Sequence, residues 1–205
     1  MYFSYVVARD FGFAPNPFNG ICTLATCKPD IRKKAVPNDW IFGCGAAAIQ
    51  CKGKLLYAMK VTKKITYNEY FTNPKYNNKK PIMNGSLKSM YGDNIYHQDE
   101  NSGKWYQIDS HHSYSDGSIN YHNLNRDTQC EYLLLSDHFY YWGRNCIDVP
   151  DEFKSVIHIG RGHKSNAIDT TTADDLVQWI SSNFDQGYIG DPIQFEKEFK
   201  RYNGK

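Results

Sequence analysis

No run in this 205-residue chain approaches the ~20 apolar residues that a membrane-spanning helix requires. Its start, Met1-Tyr2-Phe3-Ser4-Tyr5-Val6-Val7-Ala8-Arg9-Asp10, has no basic segment ahead of an apolar one. The expectation is therefore a cytoplasmic protein with no membrane association. The six cysteines contain no C-x-x-C pair, so the ligand spacing of structural zinc sites is missing and reduced thiols are expected. No two histidines stand four apart, which removes the helix-borne metal pair, and no cofactor motif is recognised. The net charge is only +2, so an affinity for polyanions has to come from local clusters of Lys and Arg. Internal repeats and Gly/Ser or charged linkers are absent as well, and residues 1–205 read as a single domain.

What the chain has in quantity is aromatic rings, 16 of them tyrosines, which implies a packed interior with many polar-tipped side chains. Residues 2–8 read as a buried strand. Asn38-Asp39-Trp40-Ile41-Phe42-Gly43-Cys44-Gly45 is a polar turn feeding an apolar strand that stops at glycines, and Leu55–Val61 is a second such strand. That order suggests a small curved β-barrel. Residues 9–20 form a loop carrying three phenylalanines, and Pro29–Val36 reads as a short helix with a basic face. Residues 72–104, rich in Asn, Lys and Gly, read as an extended surface insertion. Lys104–Asp109 looks like a strand, Tyr132–Leu135 like another, and Ser136–Gly143 like strand then loop. Two helices are expected in the tail, over 173–184 with Thr172 as cap and over 192–202. The fold class is accordingly α+β, with a barrel core over 1–130 and a strand and helical extension over 131–205.

The densest group of titratable and hydroxyl side chains is Asp109-Ser110-His111-His112-Ser113. If the strand continues through it, Asp109 and His111 share a face, and a carboxylate aligning an imidazole is what a general base needs. Asp109, His111 and His112 are the candidate catalytic residues, against the plainer reading of a hydrogen-bonded strand end. A reactive cysteine would need a nearby histidine, and Cys44 between Gly43 and Gly45 is the suggestive position. Gly160-Arg161-Gly162-His163-Lys164-Ser165 can cradle a phosphate, although its spacing is not that of a P-loop. Arg9-Asp10-Phe11 with Asn16-Pro17-Phe18 sets stacking rings beside amide and charged groups, as recognition of a flipped base requires. Lys33, Lys34, Arg161 and Lys164 would form a basic rim.

The segments 38–42, 56–62 and 67–76, with Lys104–Asp109 as a later tryptophan-containing strand, resemble the EVE and wider PUA-like barrels. More specifically, Ala8–Phe18, Tyr91-Gly92-Asp93-Asn94-Ile95-Tyr96-His97, Asp109–Tyr114 and Gly160–Lys164 are similar to the second type of nucleotide-modification-associated domain. That is a bacterial and phage family linked to modified DNA, and the likeness covers nearly the whole chain. The resemblance implies a PUA/EVE-like barrel with peripheral helices that binds nucleic acid or a nucleotide and reads a modified base, in DNA modification or phage defence. Arg9, Asp10, Phe11, Asn16, Gly43, Cys44, Asn94, Tyr96, His97, Tyr114, Arg161, His163 and Lys164 are the candidate nucleotide contacts. The rival is an enzyme acting on a nucleotide or base through an Asp–His acid/base pair, and a third reading makes 72–104 a protein-docking surface.

Overall fold

The two apolar segments at 40–45 and 55–60 become the centre of the main sheet in the computed structural model, which describes residues 1–196 and 198–204. Strand β3 (Trp40–Gly45) pairs antiparallel with β4 (Leu55–Lys60), with a register shift between Gly43 and Cys44. Strand β1 (Tyr2–Val7) runs parallel to β3, from Tyr2 opposite Trp40 to Val7 opposite Gly45. The sheet is extended on one side by β10 (His163–Lys164) and on the other by β9 (His138–Tyr141) and β11 (Gly187–Tyr188). All six residues of β3 are buried, as expected for a strand covered on both faces. One face packs Phe3, Tyr5, Ile41, Tyr57 and Met59 against Ile31 of α1 (Pro29–Lys34) and Leu134. The other packs Phe42, Ala58, Tyr140 and Trp142 against Leu176 and Ile180 of α5 (Thr170–Asn183).

The architecture is mixed α/β, but the closed barrel expected from the sequence is not formed among the described residues. Its six-stranded sheet runs from β10 to β11 without joining its ends. Strands β2 (Cys22–Leu24), β5 (Lys63–Thr66) and β8 (Tyr132–Ser136) make a second sheet in the order β2-β8-β5. The physical cause is a shared corner. The chain breaks from β4 to β5 at Val61-Thr62 and from β8 to β9 at Asp137, and Thr62 N–H bonds Leu135 O there. At this corner the two paired chain segments turn out of the main sheet together, instead of curving round to meet β10.

Two further expectations are corrected. The tail helix at 173–184 begins earlier, at Thr170, because Asp169 accepts the Thr172 N–H and so outcompetes Thr172 as cap. The helix expected over 192–202 is absent among the described residues, because tertiary partners take its backbone groups. Ile193 N–H bonds the Asp10 carboxylate, Gln194 N–H the Asp10 carbonyl, Lys200 N–H the Tyr91 hydroxyl and Tyr202 N–H the His111 carbonyl. The six cysteines are not all reduced: Cys51 and Cys146 form a disulfide, and Cys22, Cys27, Cys44 and Cys130 are free. No helix of the described residues is long and apolar enough to cross a membrane.

The 72–104 insertion is also more than a surface loop. It contains α3 (Leu87–Met90) and β6 (Tyr96–Gln98), which pairs with β7 (Trp105–Gln107), after α2 (Tyr67–Thr72) has been started by a Thr66/Glu69 capping box. Tyr76, Tyr91, Ile95 and Tyr96 are core residues. Lys79 is buried too, its ammonium donating to Asn16 O (3.1 Å), Asn16 Oδ1 (2.7 Å) and Ile21 O (2.6 Å). Burial pulls its pKa down to about 8, against the pull of the Asp93 carboxylate. Asp93, equally buried and pushed up by desolvation, accepts from Thr23 and from Tyr70 (2.8 Å). Leaving the partners of such a buried group unsatisfied typically costs about 1–3 kcal/mol, and more where a charge is involved. Lys79→Met should therefore lower the unfolding free energy in urea by about that much, and adding Asp93→Asn should recover part of the loss.

Candidate active site

Beyond the end of β1 the chain wraps through Arg9, Phe11, Phe13 and Ala14 to line one side of a cavity of about 290 Å³. Cys27 and Lys28, just before α1, line another side, together with His111, His112, Arg126 and Tyr202. Among the described residues that line it are three cations, Arg9, Lys28 and Arg126, and no carboxylate side chain.

Residues 108–114 do not continue β7, which ends at Gln107. The alternation that would put Asp109 and His111 on one face is therefore lost. Asp109 is instead held by Arg201, through Nη1 and through Nη2 at 3.1 Å. His111 and His112 both reach the cavity, their rings 5.6 Å apart. The carboxylate that orients a histidine is Asp127, the last residue of α4 (Tyr121–Asp127), a helix started by Asn120 accepting from His122 and Asn123 N–H. Asp127 Oδ2 bonds His112 Nδ1 at 2.8 Å, and both side chains are essentially without solvent exposure.

The electrostatics follow from this geometry. Burial disfavours the charged form of His112, but the Asp127 charge and hydrogen bond outweigh it, with a smaller contribution from Cys27, and the pKa is pushed up to about 9. Burial likewise opposes the Asp127 carboxylate. The His112 charge and bond, with Arg126 and Arg32, more than offset that and hold it down to about 2. His111 is driven to about 3 by burial and then by the neighbouring His112 charge, so it stays neutral with Nδ1–H directed to the Lys200 carbonyl. Phe13 packs on His112 at 4.6 Å and on His111 at 4.9 Å. The Arg9 guanidinium lies 4.3 Å from the Tyr202 ring centre, with Arg126 at 5.5 Å from the same ring.

Cys27 is the residue that the sequence reading missed. It is half-buried, its N–H donates to Asp127 Oδ1 at 2.9 Å, and Arg126 Nη2 lies 4.0 Å from its sulfur. Cys27 and Lys28 both have positive φ, 58° and 42°, a conformation that non-glycine residues adopt at a cost. Asp127 was hidden for a similar reason, since it lies 15 residues from His112 in no recognised motif. The available signal was weak: a cysteine two residues before a helix-starting proline, and an acidic residue closing a short polar helix.

Of the residues expected to contact a nucleotide, Arg9 and Phe11 line the cavity and the other eleven do not. Asp10 is buried beneath it, bonded to Tyr141 and to Ile193 N–H, its pKa raised to about 6 by burial. Asn16 binds Lys79 and Tyr91 O, and Asn94 binds Tyr70 O and Tyr76 O. Gly43 makes room for Tyr57, whose Cε1 would stand 2.0 Å from an added Cβ, and Cys44 is buried against Ser4 and His158 N–H. Tyr96 donates to Asp127 Oδ2 at 3.0 Å and so supports the site from behind. His97 is stacked between Phe71 and Tyr106, and Tyr114 is exposed. His163 and Lys164 are held in β10, with Lys164 Nζ on Ser155 O, and the Arg161 carbonyl faces His158, so 160–165 forms a strand edge instead of a lining of the cavity. Among the described residues no three His, Cys, Asp or Glu side chains are grouped to hold a metal ion.

A family model described as nucleotide modification associated domain 2 matches residues 1–199. The chain belongs to that family. No curated protein and no solved structure matches it significantly. For this nucleotide modification associated domain, the cavity with its buried His–Asp pair is the place where the fold concentrates reactive groups.

The pair makes stability depend on pH in two opposite ways. The folded pKa of His112, about 9, lies above its ordinary 6.5, so its contribution is fully present below pH 6.5 and is lost as pH rises through 9. Asp127, at about 2 against an ordinary 3.8, contributes above 3.8 and loses that contribution as pH falls towards 2. In Asp127→Asn the charge that supports the imidazolium is gone and burial dominates. The His112 ring carbons, followed by NMR, should then titrate below 6.5 instead of near 9, with a stability loss of about 3–5 kcal/mol.

Proposed function

We propose that this chain is an enzyme acting on a nucleotide, free or within nucleic acid, in which His112, held by Asp127, transfers a proton to the reacting base or its leaving group. The observation that carries this reading is the buried His112–Asp127 pair opening onto a cavity whose described lining residues include cations and rings and no carboxylate. Such walls suit an anionic ligand with a flat face: Arg9, Lys28 and Arg126 for phosphate, Phe11, Phe13 and Tyr202 for the base. A raised imidazole pKa makes His112 a proton donor at neutral pH, so it acts as the general acid. Family membership supports a setting in DNA modification, and phage defence is the extension of that setting.

A second reading, recognition of a modified base without turnover, is supported by the same ring-lined wall. It has no use for a buried ion pair at the cavity surface, which is costly to maintain. A docking role for 72–104 has less support, because Tyr76, Lys79, Tyr91 and Asp93–Tyr96 are buried.

The test is incubation with nucleoside phosphates and with DNA carrying natural base modifications, read by liquid chromatography and mass spectrometry. His112→Ala should reduce turnover about 10²–10⁴-fold while changing ligand affinity little. Activity should also fall as pH rises through about 9, where the acid form is lost. Affinity without turnover in the wild-type protein would favour the reader. For nucleic acid, binding should weaken as salt rises, and replacing Lys33, Lys34, Arg161 and Lys164 together by Ala should weaken it for all sequences alike.

A further inference from the structure

The acid/base pair has a nucleophile beside it. Cys27 lines the same cavity as His112, and the two are held on the two oxygens of one carboxylate, Cys27 through its N–H to Asp127 Oδ1 at 2.9 Å and His112 through Nδ1 to Oδ2 at 2.8 Å. Arg32, wholly buried, donates from Nε to Cys27 O at 2.7 Å and from Nη2 to Asp127 O, so one guanidinium fixes the backbone of both residues. Cysteine, then histidine, then an orienting carboxylate is recognised by geometry and roles and not by sequence spacing, and its chemistry is attack on a carbonyl carbon. Cys22 and Cys44, by contrast, are fully buried, and burial pushes both thiols up.

We infer that Cys27, His112 and Asp127 form a nucleophilic triad that removes an acyl group held in amide or ester linkage on the substrate. This inference rests on the proposed nucleotide reading for the identity of that substrate, and on the triad alone for the chemistry. Attack takes place from the form in which the proton sits on His112, because the thiolate and not the thiol is the nucleophile. A sulfur lone pair forms the C–S bond while the carbonyl π-pair moves onto oxygen. The oxyanion develops near Arg126, whose Nη2 lies 4.0 Å from the sulfur. When the carbonyl reforms, the bond to the leaving nitrogen or oxygen breaks and that atom takes the His112 proton. Water, giving a proton back to His112, then attacks the thioester, and the thiolate departs. The sum is hydrolysis, with no change of oxidation state.

The experiment uses p-nitrophenyl acetate as an acyl probe on the full chain, with release of p-nitrophenolate followed by absorbance and the acetyl group located by peptide mass spectrometry. Expected is a burst of one equivalent, with the acetyl on Cys27 and not on Cys22, Cys44 or Cys130. Both are lost in Cys27→Ser, and the rate falls about 10²-fold or more in His112→Gln. Alkylation by iodoacetamide gives a second measurement that needs no turnover: Cys27 should react faster than glutathione at neutral pH, with far-UV circular dichroism confirming that each variant is folded. Label on lysines or on the other cysteines, or a Cys27 no faster than glutathione, overturns the triad. Nucleotide turnover that persists in Cys27→Ser would also overturn it while leaving the nucleotide reading standing. Clean acylation of Cys27 that no nucleotide or DNA slows would do the reverse.

Discussion

A carboxylate without solvent exposure is costly to bury unless its oxygens find donors, and Asp127 finds them in four separated parts of the chain. Cys27 N–H and Arg126 Nε reach Oδ1, while Tyr96 Oη and His112 Nδ1 reach Oδ2. A second layer stands behind this one. Arg32 donates to the carbonyls of Cys27, Asp127, Cys130 and Tyr132 and to the Tyr67 hydroxyl. The insertion, the segment before α1, the 108–114 turn and α4 are thus tied by one buried charge. No single tie of this kind needs to be strong. What matters is that withdrawing any donor leaves a buried charge underpaired, so the parts of the site are placed together or not at all.

The cavity follows from that arrangement. The loop after β1 cannot follow β3 into another strand, because Asp10 turns inward to Tyr141 and to the tail at Ile193. Its phenylalanines are then left to cover the two histidines. The tail closes the other side by giving its backbone groups to His111 and Tyr91 and its Tyr202 ring to Arg9 and Arg126. A continuous helix at 192–202 would have satisfied its own N–H groups and left this wall open.

The strands and helices visible in the sequence are those whose burial is local in origin. Trp40–Gly45, Leu55–Lys60 and Tyr132–Ser136 are continuous apolar runs, and Pro29–Lys34 and Thr170–Asn183 carry start signals within a few residues of their ends. Barrel closure was not legible, because it depends on which partner each strand meets after the corner at Thr62 and Asp137, and the alternation of side chains is the same in either case. The site was half legible. The His111-His112 cluster stood out by composition, but its carboxylate was assigned to the nearest one in sequence, Asp109, when Arg201 from 92 residues away had already claimed it. Cys27 was unreadable because a lone cysteine acquires meaning only from a neighbour in space. Asn16, Asn94 and Asp10 lie in buried hydrogen-bond networks and not on the cavity wall for the opposite reason: polar residues among aromatic ones are what such a network needs, and a sequence does not distinguish that from a binding pocket.

The two adjacent histidines show how the site separates its roles. Buried rings 5.6 Å apart repel each other if both are charged, so one proton is favoured over two, and the environment decides which ring holds it. Asp127 gives it to His112. The Lys200 carbonyl accepts from His111 Nδ1, which keeps the proton of the neutral ring on that nitrogen and leaves Nε2 as an acceptor. The pair therefore offers a proton donor beside a neutral imidazole, with pKa values pushed apart in the manner that assigns acid and acceptor in two-group sites. Exchanging the roles would require moving the carboxylate, and Asp127 cannot move while Cys27, Tyr96 and Arg126 hold its oxygens.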